Sequence, residues 1–98
     1  MNVKVHSIHF DADVKLIDFI QGKVGKLEQF VDSVVVSEVF LRIDKSSDMD
    51  NKVAEIKLTV PGKELFAKKQ CKSFEEATDL AVEALRKQAR KYKGKLRA

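Results

Sequence analysis

The sequence predicts one α+β domain, in which four strands form a single sheet and two helices pack on one face of it. Two patterns lead to this prediction. Apolar residues alternate with polar ones in four segments, and they recur every three or four positions in two others. The predicted order is β-α-β-β-β-α, and the short connections favour one two-layer core. The chain of 98 residues has room for one such core, so we assign residues 1–98 to a single domain.

The four predicted strands cover residues 2–9, 34–45, 52–60 and 64–71. The second is rich in β-branched residues, which favour strands, and a Pro-Gly pair forms a tight turn before the last strand. The last strand carries several lysines, which suit an exposed edge because charged side chains discourage pairing with other chains.

The two predicted helices each present one apolar stripe. The first runs from Val14 to about Val31, and Asp13 is a suitable N-cap. The second begins after Ser73, whose spacing from Glu76 matches a capping box. The stripe of the second helix predicts contact with the sheet or with the first helix, and it consists of Phe74, Ala77, Ala81, Leu85, Gln88 and Tyr92.

The positive charge of the chain is concentrated near its C-terminal end. The formal net charge is +4, and residues 86–97 contain seven basic side chains and no acidic one. Like charges at helical spacing repel each other, and a polyanion would relieve that repulsion. Composition alone leaves three interpretations open: a nucleic-acid-binding surface, a solvated basic tail, and contact with an anionic membrane.

No sequence pattern indicates catalysis. His6 and His9 are the only histidines, and no base is identifiable beside Cys71. Zinc-binding, phosphate-loop and nucleophile-elbow motifs are also lacking. We therefore expect a protein that is not an enzyme, with no metal, no other cofactor and no small-molecule substrate.

The sequence predicts a cytoplasmic protein without a membrane partner. No run approaches the roughly 20 apolar residues that a membrane-spanning helix needs. The first residues lack the long apolar core of a signal peptide. The single cysteine cannot form an internal disulfide, which suits a reducing compartment.

Three segments, taken in order, resemble a known family. They are KVGKLEQF at residues 23–30, SFEEATD at residues 73–79, and LRKQ at residues 85–88 with the basic residues that follow. They resemble the A-K-x-A-K-L-E-[QK]-[YW], D-M-Y-x-A-I-[DN] and L-x-R-Q-L-x-K-x-K-x-K-L segments of short bacterial hibernation-promoting factors and ribosome-associated inhibitor A. No single segment is specific, but the ordered set extends over nearly the whole chain.

This resemblance implies a fold similar in layout to double-stranded-RNA-binding domains. It implies binding to RNA of the small ribosomal subunit, in the channel for messenger and transfer RNA, and inhibition of translation in stationary phase or stress. The positions that match RNA-contacting residues of the family are Lys23, Lys26, Lys87, Gln88 and Lys91, with Lys93 and Lys95 in its basic tail. We add Lys68, Arg86 and Arg90 as candidates on their charge alone.

Two other functions stay open at this point. One is a general double-stranded-RNA-binding module without preference for the ribosome. The other is a protein-interaction regulator that modulates a sigma factor. The sequence also leaves open the oligomeric state of the free protein, and a free monomer is compatible with it.

Overall fold

The structure is a computed structural model that describes residues 3–31, 33–46 and 49–97, with all their side chains except those of Glu28 and residues 92–97. Its elements are β1 (Val3–Ser7), α1 (Val14–Gly25), a 3-10 helix (Lys26–Gln29), β2 (Val36–Ile43), β3 (Lys52–Val60), β4 (Lys63–Cys71) and α2 (Phe74–Arg97). This order confirms the predicted β-α-β-β-β-α arrangement.

The four strands form one sheet in the order β1-β2-β3-β4. β1 lies parallel to β2, and the remaining neighbours are antiparallel. Alternate residues of the strands, among them Val39, Leu41, Ile56 and Leu58, point to the helices and are fully buried. α1 packs against β1, α2 packs against β3 and β4, and the two helices contact each other. Both helices therefore cover the same face of the sheet, as predicted.

Side-chain caps fix the beginning of each helix. The carboxylate of Asp13 accepts a hydrogen bond from the backbone N–H of Leu16 at 2.8 Å. The hydroxyl of Ser73 accepts one from the backbone N–H of Glu76 at 3.1 Å. Each cap satisfies a backbone donor that the first helical turn leaves free, so both predicted starts are confirmed.

The first helix is shorter than its apolar pattern predicts. α1 ends at Gly25 instead of continuing to Val31, and the chain tightens into the 3-10 helix. The backbone N–H groups of Phe30 and Val31 both donate to the carbonyl oxygen of Leu27, at 2.9 and 3.0 Å. Glycine is a weak helix former, which makes this an easy place for the α-helix to end. The tighter turn still buries Leu27 and Val31. The apolar spacing therefore predicts correctly that these residues are buried, but it does not predict the type of helix.

Two strands are also shorter than predicted. β1 ends at Ser7 because His9 has a φ of 65°, which lies in the left-handed region and cannot continue an extended strand. β2 spans Val36–Ile43 within the predicted range 34–45, and Val35, just before it, is 66% exposed.

The face of the sheet that points away from the helices is called the open face below. Its side chains are mostly polar and lie beside one another across the strands. In the register, Glu38 pairs with Lys57, Phe40 pairs with Glu55, and Glu55 pairs with Lys68.

Candidate nucleic-acid interface

Six of the predicted RNA-binding cations project from the helical layer. We call this group the cation surface; it comprises Lys23, Lys26, Arg86, Lys87, Arg90 and Lys91. Lys23 comes from α1, Lys26 from the 3-10 helix, and the other four from α2. Beneath them, Leu85 and Ala89 of α2 are fully buried. The sheet therefore supports α2 along the stretch that carries these charges.

A cleft of about 450 Å³ between the two helices brings three members of the cation surface together. They are Lys23, Lys26 and Arg86. The Lys23 ammonium lies 3.2 Å from the carboxylate of Asp79, and this ion pair joins α1 to α2. The guanidinium of Arg86 lies 2.8 Å from Glu83 and 4.5 Å above the ring centroid of Phe30.

The other members of the cation surface are more available. Lys26, Lys87, Arg90 and Lys91 are exposed. None of them forms an ion pair with an acidic group among the described residues. Long basic side chains in this state can make charge-assisted hydrogen bonds to phosphate oxygens.

Two other candidates already have partners within the fold. The Gln88 side-chain amide donates a hydrogen bond to the carbonyl oxygen of Phe66 at 2.7 Å, which ties α2 to β4. Lys68 lies on the open face, with its ammonium 3.9 Å from Glu55. The structure therefore does not place Lys68 on the cation surface, and its predicted RNA contact remains a prediction for the opposite side of the domain.

The last two candidates are Lys93 and Lys95. Both belong to α2, which extends to Arg97, but their side chains lie outside the described part of the structure. Their contacts with RNA remain predictions from the sequence.

The open face carries a network of ion pairs. Glu55 binds the guanidinium of Arg42 as well as the ammonium of Lys68. Lys57 lies 3.9 Å from Glu38 and 3.9 Å from Glu64. Acidic partners on the same face therefore offset much of its positive charge.

Among the residues that the structure describes, Asp44 and Cys71 have clearly shifted pKa values. Hydrogen bonds from the Ser46 hydroxyl and backbone, and then from Gln70, lower the pKa of Asp44. Burial raises the pKa of the Cys71 thiol, which ends β4 on the core side of the sheet. A buried thiol with a raised pKa is a poor nucleophile, as expected from its sequence context.

Sequence reasoning missed the acidic and aromatic parts of the interhelical cleft. Lys23 and Asp79 are far apart in the sequence, and so are Phe30 and Arg86. No local spacing rule pairs them. Across the described residues, no cluster of three or more His, Cys, Asp or Glu side chains could hold a metal ion. In the same part of the chain, no helix is long and apolar enough to cross a membrane.

Comparison with known proteins tests the resemblance found in the sequence. The family model described as "Sigma 54 modulation protein / S30EA ribosomal protein" matches residues 3–97. The chain therefore belongs to this family, which confirms the family predicted from the three segments.

Two relatives carry names that refer to ribosome hibernation. The chain is 28% identical over 97 residues to the ribosome hibernation promoting factor of Klebsiella oxytoca, with 99% of this chain and 96% of that protein covered. It is 29% identical over 98 residues to the ribosome hibernation promotion factor of Bacillus subtilis (strain 168), with 98% of this chain covered. The chain spans only 50% of the length of the Bacillus protein.

Two solved structures have the same fold. The ribosomal subunit interface protein from Coxiella burnetii superimposes with a TM-score of 0.82 at 18% identity, covering 96% of this chain and 99% of that one. The N-terminal domain of Thermus thermophilus Protein Y gives a TM-score of 0.79 at 22% identity, covering 94% and 99%. At such identities these matches establish the fold alone.

Proposed function

We propose that this protein is a cytoplasmic ribosome hibernation factor that binds small-subunit RNA in the messenger and transfer RNA channel and inhibits translation in stationary phase or stress. Membership of the family and the names of its relatives support a ribosomal partner. The main support for the RNA contact is the cation surface, because its exposed members have no acidic partner among the described residues.

The proposed mechanism is steric and needs no chemical step. Lysine and arginine side chains contact phosphates without reading the base sequence. Their binding releases counterions that are condensed on the RNA, and this release supplies affinity. The packed sheet holds the basic side chains of the helices in place. Once docked, the body of the domain would occupy space that messenger and transfer RNA require.

Co-sedimentation with ribosomes across a series of salt concentrations tests this proposal. We expect the protein to pellet with ribosomes at low salt and to dissociate as salt rises. The logarithm of the binding constant should fall linearly with that of the salt concentration, by about 0.7 to 0.9 per phosphate contact. If the protein remains in the supernatant at low salt, the proposal is wrong.

A pair of charge-reversal variants tests the surface itself. Lys87→Glu with Lys91→Glu should weaken ribosome binding strongly and lower the salt slope by about 1.5, because two phosphate contacts are lost. The matched control is Lys15→Glu with Lys45→Glu, which changes two exposed lysines outside the cation surface. Each double variant removes four units from the formal net charge of +4, so total charge is matched. Equal effects of the two pairs would mean that net charge, rather than this surface, governs binding.

A competition experiment separates ribosome recognition from general duplex binding. A plain RNA duplex in excess should displace the hibernation factor from ribosomes poorly. Complete displacement by an equal amount of duplex would favour the module without ribosome preference.

The family description supports one second candidate, because it begins with sigma 54 modulation. A regulator of this kind would bind a sigma factor directly. Capture of that sigma factor by the immobilised protein should then survive nuclease treatment, whereas capture of ribosomal components through RNA should not.

A further inference from the structure

We propose that the cleft between α1 and α2 binds one unstacked guanine nucleotide of RNA. This inference rests on the proposed function and adds a base-specific contact to a surface that otherwise recognises phosphates. Its components are the stacked pair of Phe30 and Arg86, the carboxylates of Asp79 and Glu83, and the ammonium of Lys26.

The cleft has the size and one planar wall that a base requires. Its volume of about 450 Å³ falls within the range of roughly 300–1,000 Å³ typical of small-ligand sites. Arg86 lies 4.5 Å over the Phe30 ring, and its side chain remains 33% exposed. Proteins that recognise single-stranded RNA often stack bases on aromatic rings or on arginine planes. A base entering this cleft can therefore stack on the outer side of the Arg86 guanidinium.

The guanidinium also keeps a hydrogen-bond donor for a ligand. Glu83 engages one terminal nitrogen of Arg86 at 2.8 Å. The Nε atom is buried and has no hydrogen-bond partner among the described residues. Buried donors are nearly always paired in folded proteins, so we expect the Arg86 side chain to rotate when a nucleotide binds and to bring Nε within reach of one of its oxygen atoms.

The two carboxylates determine which base fits. Asp79 and Glu83 are four residues apart on α2 and therefore lie on the same side of the helix. One oxygen of each is engaged, that of Asp79 by Lys23 and that of Glu83 by Arg86, and the second oxygen of each carboxylate can still accept hydrogen bonds. Acidic groups repel phosphates, so they do not serve a site for the RNA backbone alone. A carboxylate only accepts hydrogen bonds, and guanine presents two adjacent donors, N1–H and the N2 amino group, on its Watson–Crick edge. Adenine, cytosine and uracil each place an acceptor beside their donor, which a carboxylate would repel.

Lys26 completes the site at the solvent side. Its side chain is exposed, lines the cleft and forms no ion pair with a described acidic group. It can therefore contact the phosphate of a nucleotide whose base lies inside.

Nuclear magnetic resonance titration of the full chain with the four nucleoside monophosphates tests the proposal. All four carry the same phosphate, so differences between them report on the base. We expect guanosine monophosphate to shift the signals of the Phe30 ring and the Arg86 Nε–H group. It should bind roughly tenfold or more tightly than adenosine monophosphate, since a good bidentate base contact discriminates by about this amount. Equal affinity for the four nucleotides, or shifts confined to residues outside the cleft, would overturn the proposal.

Matched variants separate the stacking contact from the base-edge contact. Asp79→Asn and Glu83→Gln should each reduce the preference for guanine, whereas Glu64→Gln, which removes an acid on the open face, should preserve it. Arg86→Lys keeps the charge but removes the planar group, and it should weaken binding of guanosine monophosphate by roughly fivefold or more. The matched control Arg42→Lys should leave this binding unchanged. An unaltered preference in both acidic variants would contradict the assigned role of the carboxylates.

Ribosome co-sedimentation of the wild-type chain distinguishes the two proposals. If the chain pellets with ribosomes but shows no guanine preference, the cleft proposal is wrong and the proposed function stands. If the chain prefers guanine but does not bind ribosomes, the cleft assignment stands as a nucleotide site and the proposed function is wrong.

Discussion

The two charged faces of this domain differ in how their basic groups are paired. On the open face, one glutamate serves both Arg42 and Lys68, and Lys57 lies between two further glutamates. On the helical side, four exposed members of the cation surface have no acidic partner among the described residues. Both faces contain several cations, yet only the helical side leaves most of them available to an external anion.

This difference shows that a count of basic residues is a weak guide to a nucleic-acid site. A cation that is already paired must give up its partner before it can neutralise a phosphate. Lys68 illustrates the point: its charge makes it a candidate, but the structure places it beside Glu55 on the side opposite the helices.

The largest expected effect comes from removing the support beneath the cation surface. Leu85 is fully buried, so Leu85→Ala should lower the free energy of unfolding by about 2–5 kcal/mol. Leu80, in the same helix, is 45% exposed, and Leu80→Ala should change stability by no more than about 0.5 kcal/mol. Urea denaturation of both variants checks this. Similar losses would mean that α2 does not pack as described.

An intermediate effect should follow from breaking the ion pairs of the open face. Glu55 is only 16% exposed, and Glu55→Gln should lower the free energy of unfolding by about 1–2 kcal/mol, because Arg42 loses a partly buried charged partner. The same change frees Arg42 and Lys68. Affinity for an RNA duplex should therefore rise slightly, with a salt slope steeper by about one unit.

The control for this variant is Glu64→Gln, since Glu64 is mostly exposed and its contact with Lys57 is long. We expect a change of no more than about 0.5 kcal/mol. Unchanged RNA affinity in the Glu55 variant would show that pairing is not what distinguishes the two faces.

The smallest effect concerns Asp44, whose acidic side chain is held by neutral donors. Its carboxylate accepts hydrogen bonds from Ser46 and from Gln70, which lower its pKa. A lowered pKa in the folded state stabilises the protein above the ordinary pKa of 3.8, and the stabilisation is lost as the pH falls through the lower folded value.

Asp44→Asn should therefore slightly reduce thermal stability at neutral pH, and the difference from the wild type should vanish in acid. Because the largest contributions come from the uncharged donors and the charge of Lys68 contributes least, we also expect this difference to depend less on salt than that of Glu55→Gln. A difference that persists unchanged below pH 3.8 would contradict the role of the carboxylate.

Much of the fold follows from local features of the sequence. Alternation of apolar residues located all four strands, and the caps Asp13 and Ser73 located both helix starts. These features involve residues within a few positions of one another, where backbone geometry restricts the possible structures. The predicted ends of α1 and β1 are wrong. Gly25 and the left-handed His9 change the backbone conformation there, and side-chain periodicity does not reveal such a change.

The sequence by itself determined the order of elements, the family resemblance and the concentration of positive charge near the C-terminal end. Tertiary structure alone decided which of these charges remain available. It paired Lys23 with Asp79, placed Lys68 beside Glu55 and stacked Arg86 on Phe30. The physical reason is that electrostatic and stacking interactions act over a few ångströms in space, and the folding of distant segments onto one another sets those distances.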